Sequence, residues 1–337
     1  MNSFGRMFRI NLMGESHGRL VGVLIDGCPA GLSLREEDFR PDMERRRPGA
    51  KGTTARRDPD LPVPVTGVFR GYTTGAPLLI WLENRDTRPD DYSRFTEVPR
   101  PGHADMTALQ KFGGYADYRG GGHFSGRLTA ALVAAGVVAK KLLEPVKIEA
   151  VLTEAGGRKD IDAAVGKALQ EKDSVGGIVE CRVKGLPAGL GEPFFDGVES
   201  LVSHILFAIP AVKGVEFGAG FAAAAMRGSE HNDPLVDSRG TTATNHAGGI
   251  NGGITSGNEL VVRLAVKPAS SISLPQKTYD LKKQAATTLE ITGRHDACIA
   301  LRVPVVAEAA MAVVLADLMM IEQVIPRVLP RPKSSKA

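Results

Sequence analysis

Cysteine is scarce in this 337-residue chain: Cys28, Cys181 and Cys298 are far apart, odd in number and outside any C-x-x-C pair. That excludes a disulfide framework and a cysteine-based zinc site, and it favours a reducing, cytoplasmic compartment; no metal is expected. Aromatic residues are only 5%, and none is interleaved with the basic runs, which argues against a nucleic-acid partner read by base stacking. The N-terminus lacks a basic stretch followed by an apolar run, so no secretory signal is expected. Neither GxGxxG after a strand nor GxxxxGK[ST] occurs, which removes the ordinary nucleotide folds. The net charge of +4 is mild; it suits an enzyme that handles anions and is too small to argue for nucleic acid. The longest apolar stretches, LTAALVAAGVVA at 128–139 and VVAEAAMAVVLA at 305–316, fall short of the ~20 residues that span a bilayer. Charges at Arg127, Lys140, Lys141, Glu308 and Asp317 bound or interrupt them. Apolar nearly all round, they read as buried core helices, with no membrane partner.

Short runs of Val, Ile, Leu and Phe between Gly or Pro predict strands near 6–12, 20–26, 63–70, 77–83, 147–153, 177–184 and 259–267. Periodicity predicts helices near 35–46, 105–112, 125–143, 160–171, 197–208, 278–291 and 304–323. Strands and helices do not alternate steadily, so the expected class is α+β, with sheets covering a helical core. Gly27-Cys28-Pro29-Ala30-Gly31-Leu32 recurs as Gly185-Leu186-Pro187-Ala188-Gly189-Leu190. Either a common Pro–Gly turn is used twice, or the chain is pseudo-duplicated. No linker separates the halves, so 1–326 is read as one domain and 327–337, with two prolines and a polar end, as a tail expected to fray.

The 39 glycines bunch beside His, Arg or Asn, as in loops that approach ligands closely. Gly14-Glu15-Ser16-His17-Gly18 follows a strand-like run; a histidine on such a turn can donate a proton near neutral pH, or simply bond its own backbone. Arg45-Arg46-Arg47-Pro48-Gly49, followed by Lys51, Arg56 and Arg57, could fork phosphate or carboxylate, or form a solvated basic face. Arg100-Pro101-Gly102-His103-Ala104-Asp105 places a histidine at a helix start beside an arginine. Residues 117–127, DYRGGGHFSGR, open the first core helix, where backbone N–H groups suit an anion and Ser125 could equally be an ordinary cap. Residues 245–253 (NHAGGINGG), 267–271 (KPASS) and 293–296 (GRHD) complete the set. Alone, each is uninformative.

In register, GESHG, RRRPG, RPGHAD, YRGGG-x-x-S-G-R, NHAGGI-x-GG, KP-x-SS and GRHD resemble the signature series of chorismate synthases, over about residues 5–325. The resemblance implies a 1,4-anti elimination of phosphate from 5-enolpyruvylshikimate 3-phosphate to give chorismate, in the shikimate pathway of aromatic amino acid biosynthesis. It also implies dependence on reduced FMN without net redox change, a β-α-β sandwich of two antiparallel sheets around long central helices, and a homotetramer. By that similarity His17 would protonate the leaving phosphate, and His103 would control protonation of the reduced flavin. Asp296 would assist proton removal through flavin N5. Arg46, Arg47, Arg100, Arg127 and Arg294 would line the substrate site. FMN would meet Arg46, Lys51, His123, Phe124, Ser125, Ala211, Gly252, Lys267, Pro268, Ala269, Ser270, Ser271 and Arg294. The flavin would lend a transient electron that weakens the C–O bond. The chain departs from the family pattern at His123-Phe124-Ser125, where many members have Arg-Ser-Ser, and at Lys51, often Arg. With no added domain, an external flavin reductase or other reductant is expected, NADPH serving only as an indirect source of electrons. The competing readings are an FMN/NADPH oxidoreductase and a non-enzymatic anion- or RNA-binding protein.

Overall fold

Two apolar helices occupy the centre of the molecule, α3 (Thr129–Leu143) and α7 (Val303–Ile321). The computed structural model describes residues 2–49, 51–53, 58–86, 89–291 and 296–331, the side chains of 89–91 excepted. All of α7 except Pro304 and Ile321 is buried, which is why its sequence shows no polar face. With the turn before it, Ile299–Ile321 is long and apolar enough to cross a membrane, longer than the 305–316 stretch suggested, but 78% of its most apolar window is buried inside the protein. The helices touch closely where Gly136 meets Ala309: a Cβ on Gly136 would stand 2.3 Å from that of Ala309.

Each helix packs against a different antiparallel sheet. Under α3 lies the order β1 (Ser3–Phe4), β2 (Arg9–Gly14), β3 (Leu20–Asp26), β7 (Leu78–Glu83), β4 (Val63–Pro64). Under α7 lies β10 (Val212–Phe217), β13 (Leu260–Val266), β9 (Gly177–Lys184), β8 (Lys147–Ala155). Three short ribbons complete the β structure: β5–β6 (Val68–Phe69, Tyr72–Thr73), β11–β12 (Ile250–Asn251, Ile254–Thr255) and β14–β15 (Gln276–Asp280, Ala285–Leu289). The outer helices are α1 (Arg40–Arg46), α2 (Asp105–Phe112), α4 (Ile161–Gln170), α5 (Val198–Phe207) and the one-turn α6 (Gly228–His231). The class is α+β, as expected.

Two buried carboxylates on α7 staple it to its surroundings. Glu308 accepts from Arg45 Nη1 and Nη2 (2.7 and 2.6 Å), Lys140 Nζ (2.8 Å) and the Ala150 amide (3.0 Å), joining α1, α3, α7 and β8. Asp317 accepts the amides of Arg6, Met7 and Phe8. Those amides are therefore unavailable to the sheet, and the strand expected from residue 6 starts at Arg9.

The recurring GxPAGL turns make the same bonds. Thr73 Oγ1 donates to Pro29 O and accepts from Leu32 N, while the Gly31 amide donates to Thr73 O. Thr255 Oγ1 donates to Pro187 O and accepts from Leu190 N, while the Gly189 amide donates to Thr255 O.

Three local expectations are corrected. The strand at 63–70 is broken into β4 and β5, because Pro64 has no N–H to continue a ladder. The helix expected at 278–291 is the β14–β15 hairpin: β-branched Thr287 and Thr288 lie in its second strand, and Asp280 accepts the amides of Lys282 and Lys283 in the turn. Its Leu289 and the following Ile291 pack with Phe95 in a second small core. The tail does not leave the body at Arg327: Ala30 N donates to Arg327 O and Leu329 N to Ala30 O, both near 3 Å. Residues 332–337 lie outside the described residues.

Candidate functional site

Consecutive glycines bring two histidines to one loop. Gly120, Gly121 and Gly122 have φ of 59°, 80° and 54°, backbone that L side chains adopt only with strain. The loop is fixed by the Ser16 amide donating to Gly122 O (3.0 Å). A Cβ on Gly120 would lie 2.2 Å from Cε1 and Nδ1 of His17, and one on Gly121 would lie 3.4 Å from Cε1 and Nε2 of His103. Adjacent Cα atoms are only ~3.8 Å apart, so the two imidazoles meet neighbouring residues of one loop.

His17 stands on the turn after β2, 9% exposed. Asn84 Nδ2 holds that turn by donating to the carbonyls of Glu15 and Gly18 (2.9 Å each), and the Tyr92 ring meets the imidazole edge-on at 5.0 Å. Beside it, Asp117 is paired with Arg119 (2.8 Å). Arg119 first, and His17 at longer range, hold the Asp117 carboxyl below the usual range.

His103 sits just before α2. Asp105 Oδ1 lies 2.6 Å from its Nδ1, and the same carboxylate takes a fork from Arg100 through Nε and Nη2 (2.8 Å each). Arg100 stacks over Phe95 at 4.4 Å, and its Nη1 donates to Ser271 Oγ (3.2 Å). Lys267 Nζ reaches Gly102 O (2.8 Å) and Ser270 Oγ (2.7 Å). Its amine is held below the usual range by burial and then by the neighbouring charge of Lys213. Two lysines close together favour an anion between them. Ala211 accepts the Lys267 amide, Ala269 O takes the Ser174 hydroxyl, and Pro268 packs on Gly176, so these residues shape the Lys267–Ser271 segment.

Against His103 and α2 opens a cavity of about 200 Å³, walled by Phe95, Ala108, Leu109 and Phe124 and reached by His103, Asp117 and Gly121; His17 meets the adjacent Gly120 and does not line it. Its lining is apolar with polar groups at one end, the ordinary composition of a small-molecule site.

Several expected residues have partners within the protein. Arg46 and Arg127 are 3% and 5% exposed. Both grip Asp60 and hold the core together: Arg46 also donates to Thr129 Oγ1 and Gly126 O, and Arg127 to Asn84 Oδ1. With Asp105 on Arg100, three of the expected substrate arginines are not open forks; a buried guanidinium requires an internal carboxylate. Arg47 does keep an open donor, its buried Nε lacking a hydrogen-bond partner among the described residues. His123 turns away from the cavity, its nitrogens 2.8 Å from Gly14 O and 3.1 Å from Asn2 Oδ1. Ser125 Oγ caps the turn by accepting the Arg127 amide. Lys51 Nζ lies near Gly166 on α4, and Gly252 faces open space. Asp296 pairs with Arg302 (2.7 Å), and Ala297 after it bonds to Gly52 O. Arg294 lies outside the described residues. Asp60, Asp105 and Asp117 had no assigned role from sequence; for Asp105 the signal was its place two residues after His103.

The sequence model of chorismate synthase matches residues 8–320. A chorismate synthase from Chitinophaga pinensis is 60% identical over 324 residues, covering 96% of this chain and 98% of the relative. One from Archaeoglobus fulgidus is 46% identical over 98% of this chain and all of its own length. A crystal structure of chorismate synthase superposes with a TM-score of 0.74 at 26% identity, covering 94% of this chain and 93% of that one. Matched along almost its whole length in sequence and in fold, the chain belongs to the chorismate synthase family.

Proposed function

We propose that the family's reaction, loss of phosphate from 5-enolpyruvylshikimate 3-phosphate to give chorismate, takes place at the two-histidine loop. The observation that carries this reading is the placement of His17 and His103 on the adjacent glycines Gly120 and Gly121. A 1,4-elimination needs an acid for the leaving group and a controlled proton elsewhere, and two separately held imidazoles, His103 on the cavity and His17 on the neighbouring glycine, would supply both. His17, enclosed by Ser16, Gly120 and Tyr92, is the acid for departing phosphate. Asp296, tied to Arg302 and the Gly52 loop, is retained as the residue assisting proton removal.

The residues fit FMN in chemistry. Lys267, Lys213, Ser270 and Ser271 would hold its phosphate, while Phe95, Leu109 and Phe124 would meet part of the flat ring. The cavity, about 200 Å³, is smaller than the ~300–1,000 Å³ of ordinary ligand pockets. Reduced FMN, when bound, would lend and recover the electron that loosens the C–O bond. His103 would govern protonation at the ring's edge.

We read the fold as the family's β-α-β sandwich, supported by α3 on one antiparallel sheet and α7 on the other. The equivalent bonds of the two GxPAGL turns, each following a strand and each clamped by a threonine from a short ribbon, support pseudo-duplication over a turn merely used twice. The homotetramer is likewise a proposal, supported by the exposure of Phe194, Phe195 and Phe221 at 92%, 90% and 83%. The deciding experiment is anaerobic: protein, chemically reduced FMN and substrate are mixed, and chorismate absorbance and free phosphate are followed. Equal release of both supports the reading; release of neither, or turnover without reduced flavin, refutes it.

A further inference from the structure

We propose that Asp105 is the positioning residue for His103: it keeps the ring proton on Nδ1 and leaves Nε2 as the atom that exchanges protons with the cavity. This rests on the reading of His103 as a proton-handling residue. The geometry is specific. Asp105 Oδ1 lies 2.6 Å from Nδ1, and the carboxylate is 9% exposed, so water does not replace the contact. An ionised carboxylate only accepts, so Nδ1 must carry hydrogen. Arg100 Nη2 also lies 3.1 Å from Nδ1, but a protonated Nδ1 offers it no lone pair. That guanidinium nitrogen is satisfied instead by Asp105 Oδ1 at 2.8 Å.

Asp105 stays ionised. Burial works against its charge, but the Arg100 fork and His103 outweigh burial and hold the carboxyl far below its usual range. Its place in the first turn of α2 adds the favourable end of the helix dipole. On the opposite side of the ring, Nε2 and Cε1 face Gly121, which has no side chain to cover them, and both residues line the cavity. One nitrogen is therefore committed and the other presented, the arrangement by which a third group orients an acid–base histidine.

Ring-nitrogen NMR on protein labelled with ¹⁵N-histidine, without flavin or substrate, tests this directly; the signals of His103 are those lost in His103→Gln. The expected neutral form has a protonated Nδ1 and a bare Nε2. Asp105→Asn should mix the tautomers, because an amide can both donate and accept, whereas Asp105→Glu should keep the Nδ1–H form. A wild-type ring protonated at Nε2 would overturn the proposal, as would an Asp105→Asn ring unchanged in tautomer. The wild-type spectrum decides even if the variants fold poorly. No turnover enters the readout, so a failed lyase assay beside an Nδ1–H ring would count against the catalytic reading alone.

Discussion

A Cβ on Gly120 would stand 2.2 Å from Nδ1 of the His17 ring. The backbone there has φ of 59°, so Gly120→Ala both strains the loop and forces the imidazole to move. The strain alone costs ~1–2 kcal/mol, and displacing an acid by about 1 Å costs ~10²-fold in rate. Phosphate release should therefore fall by ~10²-fold while urea unfolding shows only the small loss. Turnover close to wild type would mean that His17 is not held where its ring is used.

Asp60 is the shared carboxylate of Arg46 and Arg127, all three at most 5% exposed. Asp60→Asn removes the carboxylate that Arg46 and Arg127 share, leaving Arg127 only Asp58 at 3.8 Å, and breaking such a buried pair costs ~3–5 kcal/mol. Urea denaturation of the variant should show a loss of that size. A loss below ~1 kcal/mol would place the two arginines outside the scaffold and return them to the role of open substrate forks.

Glu308 gives the fold an acid limit. Burial raises its pKa, but the bonds from Arg45, Lys140 and the Ala150 amide outweigh that and hold it below the ordinary value of 4.5. A lowered folded-state pKa means that the stabilisation is complete above the unfolded value and is lost as pH falls through the folded one. Glu308→Gln should therefore be less stable than wild type at pH 6–7, by ~3–5 kcal/mol, with the gap closing below about pH 4. Denaturant melts across pH would show this; a gap independent of pH would contradict it.

Lys267 separates FMN from riboflavin. If its amine, backed by Lys213 and Ser270, holds the phosphate, Lys267→Ala should weaken FMN by ~10–100-fold, the worth of one charge-assisted bond. Riboflavin binding should change little. Flavin fluorescence titrations with both ligands measure the two affinities. Equal weakening of the two would show that Lys267 shapes the loop without touching phosphate.

The parts visible in the sequence were those with one local cause. Helices α3 and α7 were apparent because a run apolar on every side has nowhere to go but the centre, and β3, β9 and α2 fell at their expected bounds. The β14–β15 hairpin was missed because its few apolar positions, Leu289 above all, are buried by Phe95 from far away in the chain. Site residue types were visible, but partner choice was not. Nothing local indicates that Arg46 and Arg127 close on Asp60, or that His123 turns to Asn2, since those contacts join segments distant in sequence. The meeting of His17 with Gly120 is long-range in the same way.

The central claim is that these two histidines run one elimination from opposite sides of a glycine loop. The most direct measurement is the anaerobic rate of phosphate release, with saturating reduced FMN and substrate, for wild type, His17→Ala and His103→Ala. Each substitution should lower the rate by ~10²-fold or more, as removal of a general acid or base does, with urea midpoints near wild type. Near-wild-type turnover in both folded variants would contradict the account.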